Sequence, residues 1–353
     1  MSNLARIQQA LASLEADGIM ITSPENRFFA TGFQSSAGMC IITQNSAVFA
    51  TDCRYLARAR EQVTGFEVQD IGRRTYREFA AQTCQELGIS SLAFESDTMP
   101  FDQHAEYATL EAALVPAGQF FLNLRRTKQD FELDRIIKAQ RIAQAAFEQL
   151  LAEIKPGMTE QQLAARLIYL LYNNGSQGLS FEVIALSGPN TANPHGVPGE
   201  RKLQDGDFIL LDFGAVYAGY RSDMTRTFCL GQPTEKMRGV YNIVLKAQQA
   251  AIEKSVQGVA LKDIDAAARK VIEEAGYGEY FGHGTGHGVG IEIHELPNVN
   301  TKSDKSFDPG DCITIEPGIY LDDEFGVRIE DMLFYSEQGV INLTTSPKEL
   351  IIV

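Results

Sequence analysis

Basic residues are in short supply in this 353-residue chain: 31 Lys and Arg stand against 46 Asp and Glu, a formal net charge of −15. A phosphate-backbone partner requires a basic footprint, so nucleic acid is not expected as a partner. The acidic excess reads as solubility, with any concentrated part of it suited to holding cations. No apolar run approaches the roughly 20 residues of a membrane span, and no membrane association is expected. The opening residues run into an amphipathic helix and lack the apolar core of a secretory leader. Low-complexity tracts and repeats of solenoid length are absent. Cysteine is scarce: Cys40, Cys53, Cys84, Cys229 and Cys312 form an odd number with no CxxC pair. Free thiols in a cytoplasmic location are expected. What remains, 44% hydrophobic and 22% charged, is an ordinary globular composition with length enough for two domains.

Histidine is scarcer than its distribution suggests. Of five in the chain, His283, His287 and His294 fall within twelve residues of a glycine-rich stretch, Phe281 to Glu295. His195 follows Asn193-Pro194, and only His104 lies elsewhere. Imidazole titrates near neutrality and is a common metal ligand, so this crowding points to chemistry rather than to a loop whose histidines cap backbone groups. Several motifs are missing here. His294-Glu295 lacks the second histidine of HExxH, the glycines do not fit GxGxxG, and neither a P-loop nor a GxSxG elbow is present.

Apolar spacing predicts a helix over residues 3–16 and a buried strand from Gly18. Strands follow at Met39–Thr43 and Ala47–Thr51, a helix at Arg54–Val63, an extended stretch at Phe66–Ile71, a helix at Tyr76–Leu87 closed by Gly88, and a strand at Ser91–Glu95. This alternation predicts a small α/β domain over residues 1–125. Nothing in it clusters like a site, and Asp52 in Asp52-Cys53-Arg54-Tyr55 is read as a helix cap. The polar, basic break from Leu124 to Asp130 marks the boundary. Residues 126–353 are expected to form an α+β domain. Its helices are expected from Asp130 to about Lys155, after a capping start at Thr159, and over 234–256 and 261–275, with a largely antiparallel sheet.

Two hairpins of this second domain carry facing acids. Asp212 interrupts the apolar strand Phe208–Val216. Folding about residues 217–218 sets Asp223 nearly opposite it, at the roughly 5 Å of cross-strand neighbours. Folding about residue 323 likewise sets Glu316 near Glu330. Facing bare carboxylates repel, so each pair must take a proton or share a cation. Four carboxylates and one neutral imidazole balance two divalent cations. An oxygen-rich set with one nitrogen favours Mn, Co, Zn or Fe over a thiolate-type metal. Asp331, beside Glu330, is read as a structural acid in a capped turn or a surface ion pair.

Five motifs in order carry a resemblance: Leu211-Asp-Phe-Gly, Ser222-Asp-Met-Thr-Arg, Gly284-Thr-Gly-His-Gly-Val-Gly, Ile315-Glu-Pro-Gly-Ile-Tyr and Val327-Arg-Ile-Glu. Over essentially its whole length the chain resembles the metal-dependent Xaa-Pro peptidases, the aminopeptidase P and prolidase group. The resemblance implies a pita-bread catalytic domain behind a creatinase-like N-terminal domain. It also implies two divalent ions, manganese first and cobalt or zinc next, held by Asp212, Asp223, His287, Glu316 and Glu330, with Asp223 and Glu330 as bridges. His195 and His294 are implied to contact substrate and stabilise the tetrahedral intermediate, Glu316 to move a proton, His283 to lie in the substrate pocket, and Arg328 and Tyr320 to lie on the substrate side or directly behind the ligands. The substrates implied are peptides with proline in second position. Release of the first residue is the leading expectation, cleavage of Xaa-Pro dipeptides the next, and a non-catalytic binding protein of the same fold the last. A homodimer is implied as well. The chain departs from the family's pattern at Cys53, where serine is common, and at Asn193 on the pocket rim.

Overall fold

In the computed structural model all residues, 1–353, are described, and the chain divides into two compact units, Met1–Arg125 and Arg126–Val353. The first unit is a six-stranded mixed sheet with helices. Its strands are β1 (Gly18–Ile21), β2 (Met39–Thr43), β3 (Ala47–Thr51), β4 (Glu67–Asp70), β5 (Ser91–Phe94) and β6 (Ala113–Pro116), in the order β4-β3-β2-β1-β5-β6. The helices are α1 (Asn3–Ala10), α2 (Pro24–Thr31), α3 (Leu56–Gln62), α4 (Tyr76–Leu87), α5 (Phe101–Tyr107) and α6 (Phe120–Arg126), the last ending where the second unit begins. Met20, Ile41, Phe79 and Leu92 meet in the core.

Differences from the expected elements have local causes. The first helix stops at Ala10 and tightens into a 3₁₀ turn at Leu11–Ser13. α2, which the spacing did not reveal, is short but well punctuated: Ser23 accepts from the Asn26 N–H, proline opens the helix, and Gly32 closes it in the left-handed region. α5, β6 and α6, also unforeseen, are each seven residues or fewer, too short to show a period. Asp52 accepts from the backbone N–H and the guanidinium of Arg54, just ahead of α3.

The second unit repeats one theme: a helix pair laid on an antiparallel sheet. Helices α7 (Asp130–Leu151) and α8 (Glu160–Asn173) pack against β7 (Ile184–Ser187), β8 (Phe208–Phe213) and β11 (Met224–Cys229), ordered β11-β8-β7. Between β8 and β11 lies the small ribbon of β9 (Val216–Tyr217) and β10 (Tyr220–Arg221). Thr159 and Gln162 cap α8 reciprocally, as its sequence suggests. Then α9 (Glu235–Lys254) and α10 (Leu261–Glu274) pack against a second sheet. That sheet holds β12 (Gly286–Gly288), β13 (Glu295–Val299), β14 (Cys312–Ile315), β17 (Asp331–Ser336) and β18 (Gly339–Asn342), ordered β13-β12-β14-β17-β18; β15 (Gly318–Leu321) and β16 (Phe325–Arg328) pair beside it.

The two acid hairpins differ in register. In the second, Gly318 pairs with Arg328 and Ile315 with Asp331, so the fold about residue 323 is as expected and Glu316 stands across from Glu330. In the first, the turn is Ala218-Gly219, both at positive φ, with Tyr217 opposite Tyr220. This is the two-residue turn that matches strand twist. The centre is therefore one residue later than expected, Asp212 pairs with Thr225, and Asp223 is its diagonal neighbour on the same face. Diagonal neighbours lie about 7–8 Å apart by backbone, not 5 Å.

Candidate functional site

The glycines of the histidine stretch serve close packing. A Cβ at Gly286 would lie 1.9 Å from the Thr314 carbonyl oxygen, and one at Gly288 would lie 2.2 Å from that of Leu296. Both clashes are with backbone, so β12 fits between β13 and β14 only because these positions have no side chain. That fit pins His287 between them. Its Nδ1 lies 3.0 Å from the Gly288 carbonyl oxygen, which takes the Nδ1 proton and leaves the Nε2 lone pair pointing away. Nε2 is 3.5 Å from Asp223 Oδ2 and 3.5 Å from Glu316 Oε1. Burial holds the imidazole below its ordinary pKa, so it is neutral.

The carboxylates converge on the same point. Ligand atoms of Asp223, His287 and Glu330 lie within 4.8 Å of one another. Burial first, then the neighbouring acids, raise Asp223 and Glu330 well above the usual carboxylate range. Glu316, half-buried beside Asp212, is pushed up to about 8 by desolvation even with Arg328 opposing the shift. Asp212 alone has a protein cation, with Arg328 Nη2 2.6 Å from its Oδ2. Asp212 Oδ1, Asp223 Oδ1 and Glu330 Oε1 are buried and make no hydrogen bond. Buried polar atoms are ordinarily satisfied, and three orphaned carboxylate oxygens beside an imidazole lone pair are a donor set that fits cations. Thr225 holds the other Glu330 oxygen at 2.7 Å.

These groups line a cavity of about 450 Å³ whose wall also includes His195, His283, His294 and Arg328. The rings of His287 and His294 are 4.4 Å apart. His195 and His294 are exposed, while His283 is half-buried. Tyr320, expected on the substrate side or directly behind the ligands, is not in the wall. It sits behind it, its hydroxyl accepting from Arg328 Nη1 at 2.9 Å and lying 2.9 Å from His283 Nε2. Burial holds the phenol protonated, its pKa up at about 12, so it donates to that nitrogen. His283 Nδ1 is turned to the Gly284 carbonyl oxygen, 2.8 Å away. Both ring nitrogens are engaged, and burial lowers the imidazole to about 4. His283 thus offers the cavity a neutral ring rather than a donor.

The ion pair expected of Asp331 exists, but it is buried rather than on the surface. The carboxylate is fully inaccessible, 2.8 Å from Arg226 and 2.8 Å from Lys348, and accepts from Asn342.

Sequence reasoning missed the cavity's apolar lining, Phe181, Ile184, Pro194 and Ile293, and its polar rim, Glu182, Asn298 and Asn300. No motif marks them. It also missed the acids that shape the loops. Glu295, seen only as part of a failed motif, accepts from the Ile291 and Glu292 N–H groups and pairs with Lys128 at 2.9 Å, both side chains buried.

Known proteins resemble both units. Residues 3–127 match the Creatinase/Prolidase N-terminal domain, and residues 134–337 match Metallopeptidase family M24. A solved Xaa-Pro dipeptidase from Bacillus anthracis is 39% identical, with 99% of each chain covered and a TM-score of 0.95. An X-Pro aminopeptidase from Thermotoga maritima is 32% identical, covering 98% of this chain and 100% of that one, with a TM-score of 0.93. A Xaa-Pro dipeptidase from Pyrococcus horikoshii is 34% identical over 95% of this chain and 94% of its own. The second unit has the pita-bread fold, and the chain belongs to Metallopeptidase family M24.

Proposed function

We propose that the protein is a dinuclear-metal Xaa-Pro peptidase that hydrolyses the bond ahead of proline. The observation that carries this reading is the set of three buried, unpartnered carboxylate oxygens on residues that line one cavity with His287; Asp223 and Glu330 offer ligand atoms within 4.8 Å of one another and of His287. Asp212, Asp223, His287, Glu316 and Glu330 would hold two divalent cations, manganese in the first instance. Such cations lower the pKa of water and polarise a carbonyl. The remaining work falls to the protein. His195 and His294, exposed at the cavity wall, donate hydrogen bonds where negative charge develops on the scissile carbonyl oxygen. Glu316 takes the proton that the attacking water loses and returns it to the proline nitrogen as the bond breaks. Phe181, Ile184, Pro194 and Ile293 supply apolar surface for the pyrrolidine ring.

Relatives named for dipeptide cleavage, the 39%-identical one among them, support an Xaa-Pro dipeptidase. The Thermotoga aminopeptidase supports release of the first residue from longer peptides. The reading extends to a homodimer, as the resemblance implies, and to the cytoplasm, which five free cysteines support.

Hydrolysis of Gly-Pro, Xaa-Pro-Xaa tripeptides and a longer Xaa-Pro peptide tests it, each after chelation and again with Mn, Co or Zn restored. Metal-restored cleavage is expected. Cleavage of the dipeptide alone identifies a dipeptidase, and cleavage of the longer substrates an aminopeptidase. No cleavage with any metal overturns the proposal.

A further inference from the structure

His195 is held in place by its backbone alone. Its imidazole makes no hydrogen bond, and its own N–H reaches only the Asn193 side chain, 3.3 Å away. The question is what fixes that backbone. Residues 188–198 form a partly exposed excursion between β7 and the strap that leads back to β8, beginning with a 3₁₀ turn at Gly188–Ala192. Within it the buried Thr191 hydroxyl accepts from the Gly326 N–H at 2.8 Å, and the Pro194 carbonyl accepts from Arg328 Nη1 at 3.4 Å. Both ends of the excursion return to one buried group, the carboxylate of Glu160 at the start of α8. Oε1 accepts from the Ser187 N–H at 2.8 Å, the Ser187 hydroxyl at 2.8 Å and the Asn190 amide at 3.0 Å. Oε2 accepts from the same amide at 3.1 Å and from the Gly199 N–H at 3.1 Å. Glu160 is fully inaccessible. The first turn of α8 reinforces the closure, its Glu160 and Gln161 N–H groups donating to the carbonyls of Arg201 and Gly199. A helix start has N–H groups to spare, and here the strap uses them.

We propose that Glu160 is a positioning residue for His195. Its carboxylate closes the neck of the 188–198 excursion, so an imidazole without a hydrogen bond of its own is presented at a fixed place. The inference rests on the proposed peptidase reading for what His195 does, and on geometry alone for how it is held. All the donors that reach the carboxylate are neutral, and they fill both of its oxygens. An amide in its place would turn an NH₂ toward groups that are themselves donors and would lose the charge assistance.

The test is a double-mutant cycle on the metal-loaded, full-length protein. Glu160→Gln is expected to lower kcat/KM by about 10- to 100-fold, mainly in kcat, as for a group whose contribution is made in the transition state. On a His195→Ala background the same substitution is expected to cost less than 2-fold further, whereas on a His294→Ala background it keeps its full cost. Glu160→Asp, which keeps the charge, is expected to recover part of the loss. Equal cost on all three backgrounds would overturn the proposal. Hydrogen exchange of the full chain is the readout that needs no substrate. Amides of residues 187–199 are expected to exchange faster in Glu160→Gln, with the rest of the unit and the bound metal unchanged. Unchanged exchange in that segment overturns the proposal, including where no Xaa-Pro peptide is cleaved and the peptidase reading itself has fallen. Should Glu160→Gln not fold, Asn190→Ala removes one donor from the loop side, and a smaller, His195-dependent loss of about 3- to 10-fold is expected.

Discussion

Glu330 and Asp331 are neighbours in the chain, both acids and both buried, and the structure treats them in opposite ways. Glu330 faces the cavity among Asp212, Asp223 and Glu316, where burial and like charge drive its carboxyl toward the protonated form. Asp331 faces the other side of the sheet. Burial opposes its charge there too, yet Arg226 and Lys348 hold it below the usual carboxylate range. Successive residues of a strand point to opposite faces, which puts one acid in each environment. Burial alone therefore separates nothing. What separates the two neighbours is the protein counter-charge: arginine and lysine stand beside Asp331, and no such ion pair reaches the Glu330 carboxylate.

The largest effect should come from exchanging each acid for its amide. Glu330→Gln is expected to abolish tight metal binding and lower kcat by about 1,000-fold or more, the scale of losing a principal electrostatic stabiliser. The chelated protein should be no less stable for it, since a repelled carboxylate has been removed. Asp331→Asn reverses the pattern: it strips Arg226 of its buried partner, and breaking such a pair costs about 3–5 kcal/mol. Metal analysis, turnover and thermal denaturation of both variants check this. A Glu330→Gln protein that loses stability but keeps its metal and activity would erase the distinction.

A pH titration sharpens the same contrast on the unaltered protein. With metal removed, Asp223, Glu316 and Glu330 have folded-state pKa values above their unfolded ones, Glu316 at about 8. The folded state then binds more protons than the unfolded state from the ordinary carboxylate range up to about pH 8, so stability falls as pH rises through that window. Asp331 acts in the opposite sense: its depressed pKa contributes stability above the unfolded value, lost as the pH drops. Metal binding requires the carboxylates ionised and strengthens as they deprotonate. The gap in melting temperature between metal-loaded and chelated protein is thus expected to widen from pH 5 to pH 8. A gap that stays constant would mean that the cluster carries no excess protons.

Much of the acid cluster was legible because two signals coincided. Asp212 and Glu316 break apolar strand patterns, and the register of the second hairpin followed from folding it about residue 323. The first hairpin was displaced by one residue because its turn places Ala218 at positive φ, a conformation that an alanine does not announce. Since strand faces repeat every second residue, the acids still shared a face. Asp331 looked superficial because its partners, Arg226 and Lys348, lie far away in sequence. Glu160 was visible only as part of a capping stretch, since nothing local connects it to Ser187 or Gly199. The motif left Tyr320 either on the substrate side or directly behind it. Only the packing of Arg328 and His283 against its hydroxyl shows that it stands one layer back.

That hydroxyl supports the smallest effect, on the side of the cavity where the contrast is between the charged Arg328 and the neutral His283. Arg328 donates to the Tyr320 oxygen, and the Tyr320 proton goes to His283 Nε2. Burial, then the nearby charge of Arg328, lowers His283 to about 4, and a donor to that nitrogen also favours the neutral imidazole. Tyr320→Phe should leave the fold intact and raise the His283 pKa, while burial keeps it below the ordinary value near 6.5. Both changes are readable by NMR of the histidine ring protons in the metal-loaded protein. Arg328 would lose one of its acceptors but keep Asp212, so metal content should hold while kcat/KM drops by about 10-fold, of the order expected for one buried hydrogen bond. If Tyr320→Phe leaves both the His283 titration and the turnover unmoved, the hydroxyl is mere packing. Arg328 would then act on the cavity through Asp212, Thr225 and the Pro194 carbonyl, without the Tyr320 hydroxyl.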